Sequence, residues 1–292
     1  MKAHVNPPAE SRLKQTVLLL IRNYSQHNVG KNAAALAYYL LFAIFPLLIF
    51  ASNLLGLLKL DVYAITQTLS NFLPKDIVGL IESYLDYISH TSGHLLLWFS
   101  LVFSIWFPMR AVKRLMDDVR LAHHLSKPPN SLKYRLRQLI YTVVFLVVII
   151  LTLALSTLGE HVLGYIGRLL PENTPRISGF IPDFWQYLRF IPMALLMFAA
   201  LGALYALSMD KRPPIRQILP GIIAALISWM IVSIGFSFYV ENFAHYSLIY
   251  GTMGAMIVLL MWLYMTALVL ILGAELNSVL QTENQRVPQK GK

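Results

Sequence analysis

The chain has no cysteine in 292 residues, which removes disulfide frameworks, thiolate zinc sites, iron–sulfur ligation and cysteine nucleophiles together. Charge is also scarce, at 13% of residues, about half the roughly 25% of an ordinary soluble domain. The sequence holds no Gly-rich phosphate loop, no His-Glu-x-x-His, no nucleophile elbow and no acid pair inside an apolar stretch, so it points to no enzyme class and no cofactor. The apolar run Val17 to Ile21 is shorter than the ~7–15 residues of a cleavable signal core, and the N-terminus is expected to stay in place. No internal repeat or low-complexity segment is apparent.

What fills the chain is apolar residues, 57% of the total, and they are organised. Six stretches carry no formal charge: 33–58, 91–109, 138–159, 190–209, 217–240 and 242–274. Each approaches or exceeds the ~20 residues that a helix needs to cross a bilayer. The second is the shortest in its apolar core, Leu95 to Met109. The pattern predicts an all-α polytopic membrane protein with about six transmembrane helices and amphipathic interfacial helices.

The net charge of +10 is unevenly placed. With the N-terminus inside, nineteen of the 24 Lys and Arg fall on cytoplasmic segments and five on outer ones. That bias predicts a multi-pass protein of a cytoplasmic membrane with both termini cytoplasmic. Residues 1–32 are expected to form a cytoplasmic amphipathic helix, capped by Ser11, with Leu13, Val17, Leu20, Ile21 and Tyr24 on one side. Residues 33–280 form the six-span domain and 281–292 a polar cytoplasmic tail. In the first outer loop, Val62, Ile65, Leu69 and Phe72, then Ile77, Leu80, Tyr84 and Ile88, recur at helical spacing around Pro74, which predicts re-entrant or surface helices.

Three groups are candidates for function. On the inner side, Arg110, Lys113 and Arg114 leave the second span while Lys133, Arg135 and Arg137 approach the third. Such clusters either signal orientation or bind anionic headgroups at roughly 1 kcal/mol per charge. Membrane lipid, above all anionic phospholipid, is therefore the expected partner, and nucleic acid is not, because no platform for it is visible. On the outer side, Glu82, Asp86, His90 and His94 follow at four-residue steps, joined by the pair Glu241 and His245. Carboxylate plus imidazole suits a divalent metal or a proton-responsive cluster, while solvated caps on outer loops look the same. Pro46, mid-span in the first helix, bends it and frees a carbonyl, as a packing kink or a hinge. The adjacent His123 and His124 point about 100° apart on a helix and read as loop residues.

The segment from Ala33 to Pro46 (AAALAYYLLFAIFP), the element Asn71-Phe-Leu-Pro74, and Tyr246-Ser-Leu-Ile-Tyr-Gly251 through Trp262 to Gly273-Ala-Glu275 resemble the YihY/BrkB family of bacterial membrane proteins. The resemblance covers nearly the whole chain and implies a six-span helical bundle in the bacterial inner membrane, without implying catalytic residues. Family members have carried a ribonuclease label. This sequence argues against it, since phosphodiester cleavage needs an acid–base pair or metals beside a bound phosphate in a wet cleft. The reading that results is a membrane protein that handles or transports a lipid, amphiphile or anionic solute; a non-transporting envelope scaffold is the alternative. A transporter should bury polar groups facing a cavity, whereas a scaffold should expose an apolar patch.

Overall fold

The computed structural model describes residues 9–58, 70, 75, 77–83, 94–126, 132, 134–148, 151, 190–210, 213–243 and 252–286. All the regular structure among them is helical. We number the helices α1 (Ala9–Gln26), α2 (Val29–Leu58), α3 (His94–Ala122), α4 (134–148), α5 (Phe190–Ser208), α6 (Ile215–Phe243) and α7 (Thr252–Arg286). A short helical stretch, 77–83, precedes α3.

Among the described residues, three segments are long and apolar enough to cross a membrane, Val29–Ile49, Ile215–Val240 and Met253–Thr282, and Ala194–Ser208 is a shorter apolar helix. The expected second span falls on α3, which starts at His94, just after Gly93. The expected third begins within α4, and most of 149–189 lies outside the described residues. Two boundaries differ from the charge-based reading. Asn242 closes α6 instead of opening the last span, and α7 runs past Glu275 to Arg286. Helix α1 is described from Ala9 onward, and Ser11 falls inside that helical stretch.

Helices α2, α6 and α7 each run between two buried clusters. One gathers the start of α2 (Val29, Ala33, Leu36), the end of α3 (Leu115, Met116, Val119), Tyr141, Tyr205, Ile222 and the far part of α7 (Ile271, Ala274). The other joins Ala37, Ile77, Ile81, Phe236, Val240, Leu259 and Leu263. So α6 leaves the first cluster as α7 returns to it, and the two lie antiparallel.

Their seam is set by glycine. A Cβ at Gly221 would run into the Gly273 carbonyl oxygen, and one at Gly273 would stand 2.7 Å from that of Gly221. Small residues let helix backbones approach this closely, which matters in lipid because packing and hydrogen bonds, not exclusion of water, hold spans together. Asn277 staples the contact: its Oδ1 accepts from Gly221 N at 2.7 Å and its Nδ2 donates to Ile218 O at 2.9 Å. The Tyr205 hydroxyl donates to Leu270 O at 2.6 Å, and the Tyr141 hydroxyl to Ala200 O at 2.5 Å.

Outward-facing positions along α6 and the first half of α3 are mostly apolar. Ile223, Ile227, Met230, Ile231, Ile234 and Phe238 of α6 are all exposed, as are Trp98, Phe99, Val102 and Trp106 of α3. A continuous apolar exterior on long helices is what a hydrocarbon surround demands and what water would penalise. Pro46 is buried within the continuous helix α2, and Pro108 and Pro220 are likewise internal to α3 and α6.

Candidate functional site

The first cluster ends in a polar network built by α1, α2, α3 and α7. Asn23 of α1 and His27, in the turn just after it, face inward, while Val17, Leu18 and Ile21 stay exposed. Glu275, 1% exposed, receives both: Asn23 Nδ2 donates to its Oε2 at 3.0 Å, and His27 Nδ1 lies 2.6 Å from its Oε1. A carboxylate at this depth is costly unless paired and hydrogen-bonded, so these contacts account for the docking of α1 against α7.

The network continues through the turn between α1 and α2. Asn28 there adopts the left-handed conformation (φ 53°), and Asn32 Nδ2 donates to His27 O at 2.9 Å. Asn32 Oδ1 in turn accepts from Arg114 of α3. Arg114 Nε lies 3.4 Å from Asp118 Oδ2, one turn along, as an ion pair without hydrogen-bond alignment. Burial pushes the Asp118 carboxyl up to about 7 despite the opposing pull of Arg114, with Asp117 and Glu275 adding to the rise. Burial also raises Asp117, which accepts from the Tyr134 hydroxyl at 3.2 Å, and lowers His123 against the opposing influence of Val119 O and Glu275. His123 and His124 form the turn that ends α3, and His124 stacks edge-on against His27 at 5.2 Å.

A second set of contacts caps α5. Arg120, 2% exposed, donates to Ser208 O at 3.0 Å and to both Asp210 oxygens at 2.7 and 3.2 Å, and reaches Ser126 O at 2.9 Å. Its guanidinium holds Asp210 below the usual carboxylate range. Arg137 donates to Leu207 O at 3.0 Å. Cations on the last carbonyls satisfy orphan acceptors and complement the helix dipole.

The six expected basic residues therefore divide. Arg114 and Arg137 are turned into the bundle. Arg110, Lys113 and Arg135 are exposed, with the Arg110 guanidinium 5.1 Å from the centre of the Trp106 ring. Lys133 lies outside the described residues. On the opposite side, Glu82 is exposed, and His94 opens α3. Asp86, His90 and His245 lie outside the described residues, as does the side chain of Glu241. Among the described residues, no group of three or more His, Asp or Glu side chains is arranged to hold a metal ion. Sequence reasoning missed Glu275 with its partners Asn23 and His27. The available signal was an acid embedded in an otherwise apolar helix, which reads by default as a functional position.

Comparison with known proteins agrees with the membrane architecture. The chain is 28% identical over 271 residues to ribonuclease-like protein YfkH of Bacillus subtilis, covering 93% of this chain and 96% of that one. It is 26% identical to a UPF0761 membrane protein of Vibrio parahaemolyticus, covering 89% and 80% of the two chains. A UPF0761 membrane protein of Xanthomonas campestris is 27% identical, and the match spans 92% of this chain but 62% of the longer relative. No solved structure matches. The family model described as virulence factor BrkB matches residues 20–292, and the chain belongs to that family of membrane proteins.

Proposed function

We propose that the chain sits in a bacterial cytoplasmic membrane with its polar end and both termini in the cytoplasm, and that it handles a lipid, an amphiphile or an anionic solute without catalysing a reaction. The supporting observation is a sorting of charge. At the polar end Asp118 and Glu275 are buried, Asp117 is half-buried and Asp210 is gripped by Arg120, while Lys14, Arg22, Lys31, Arg110, Lys113, Arg135 and Arg216 are exposed. Three of these acids are wholly or partly buried and the fourth, Asp210, is exposed but paired with Arg120, so the described surface at this end is predominantly cationic, which favours phosphate-bearing headgroups. Among the described residues, the paired acid and imidazole, Glu275 with His27, are buried or nearly so and offer RNA no cleft, so the name of the YfkH relative lends a nuclease reading little weight here.

Native mass spectrometry with phosphatidylglycerol or cardiolipin tests this. Arg110→Gln together with Lys113→Gln should weaken binding about tenfold or more, and Lys127→Gln far less. Equal, small losses in both would leave these residues as topology signals and favour the scaffold alternative.

A further inference from the structure

Between α1 and the α6–α7 pair runs a groove of about 420 Å³, lined by Leu20, Ile21 and Tyr24 of α1, Ala224, Ala225 and Ser228 of α6, and Val269, Leu272, Gly273 and Leu276 of α7. Only Ser228 and the Tyr24 hydroxyl are polar side-chain groups in that lining, and the Tyr24 hydroxyl lies against Gly30. Water gains little in such a space, since a bound water needs two to four polar partners. Ser228, which lines the groove, is exposed on α6 next to the outward-facing Ile227 and Ile231, so the groove reaches the same apolar exterior that bilayer lipid covers.

We propose that this groove holds one acyl chain of an anionic membrane phospholipid. The volume suits a single chain: at roughly 30 Å³ per water-sized group, a methylene being about that size, it takes about fourteen. The layout suits the rest of the molecule. Arg216, exposed in the first turn of α6, precedes Ala224 by eight residues, about 12 Å along a helix, and Lys14 and Arg22 are exposed on α1 at four-residue multiples along one stripe. Cations at the polar end followed by an apolar slot toward mid-bundle reproduce the order of a phosphate headgroup and its tail. The α1 clasp, Asn23 and His27 on Glu275, fixes the wall that α1 contributes. The choice of ligand rests on the lipid reading above; the place does not depend on the Arg110–Lys113 rim.

Photo-crosslinking tests it in proteoliposomes containing phosphatidylglycerol with a diazirine near mid-chain, the adducts being mapped by mass spectrometry. Adducts on Ile21, Tyr24 and Leu276 should exceed those on Ile234 and Phe238 about tenfold. Ala224→Trp, filling the groove, should cut groove adducts at least fivefold and leave the Ile234 and Phe238 adducts unchanged; Ser228→Phe, on an exposed site, serves if Ala224→Trp lowers folded yield. Diazirine phosphatidylcholine should label the groove at least threefold less. Adducts spread evenly over all apolar surfaces, groove adducts indifferent to both substitutions, or equal labelling by phosphatidylcholine would overturn the proposal. Arg110→Gln with Lys113→Gln should leave groove adducts intact, so loss of rim binding and loss of the groove site are separable results.

Discussion

Around Tyr141, Tyr205 and Ile222 the buried apolar side chains share their space with Asn23, Asn32, Asp118, Arg120, Ser208, Glu275 and Asn277. Around Ile77, Phe236 and Leu259, the described segments that build the core contribute no buried polar residue. Helices α2, α6 and α7 run through both regions; α1, α3, α4 and α5 add side chains to the first, and the stretch 77–83 to the second. The apolar end needs nothing beyond close packing. The polar end buries charge whose desolvation is repaid only by partners placed within hydrogen-bond reach, so it fixes geometry, above all the position of α1, at little net gain in stability.

The comparison is broken most severely at the seam. Gly221→Leu drives a side chain into the Gly273 carbonyl and Asn277, and loss of folded protein is expected in detergent extracts. Even Gly221→Ala should cost about 3 kcal/mol, whereas Gly235→Ala, which meets open space, should leave the melting temperature unchanged or slightly raised. Leu259→Ala at the apolar end opens a cavity around a side chain that is 2% exposed, and should cost about 2–4 kcal/mol, equally at pH 5 and pH 8. Glu275→Gln at the polar end keeps the shape but loses the charge-assisted contacts. A cost of about 1–3 kcal/mol is expected, seen first as faster amide exchange or proteolysis in α1 with the other helices still protected.

The smallest effect separates the two ends by pH. Asp118 is held near 7 in the folded protein against about 3.9 in an unfolded chain. Between those values the folded state keeps a proton that the unfolded state has lost, so stability is fully present below about pH 4 and declines as pH rises through 7. Asp117 contributes in the same direction. His123, lowered by burial, opposes them, its contribution being present above about 6.5 and lost as pH falls. The melting temperature should therefore fall modestly from pH 5 to pH 8, and Asp118→Asn should remove most of that slope. A slope unchanged in Asp118→Asn would assign it to other groups.

Much of the architecture was legible because hydrocarbon imposes a simple rule: uncharged runs become spans. The stretch 190–209 corresponds to Phe190–Ser208, and 217–240 lies inside Ile215–Phe243. The same rule stopped the last span at Ala274, where Glu275 introduces charge, yet α7 continues because the partners of Glu275 come from the other end of the chain, 252 and 248 residues away. Non-local pairing leaves no local signature. For the same reason α1 reads from sequence as a helix lying with one apolar side on the membrane, while its position depends on Asn23 and His27. The basic residues flanking the second and third expected spans were visible as charge; that Arg114 would bridge Asn32 and Asp118, and Arg120 and Arg137 would cap α5, follows only from packing.

That the polar end faces the cytoplasm is tested most directly by single cysteines, since the chain has none of its own. Ser126 is exposed just beyond α3 at the polar end, and Lys75 is exposed close in sequence to Ile77 of the apolar cluster. With a membrane-impermeant maleimide, Lys75→Cys should label in intact spheroplasts and Ser126→Cys only after permeabilisation. Labelling of Ser126→Cys from outside intact cells would contradict the orientation and, with it, the placing of the cationic surface against cytoplasmic headgroups.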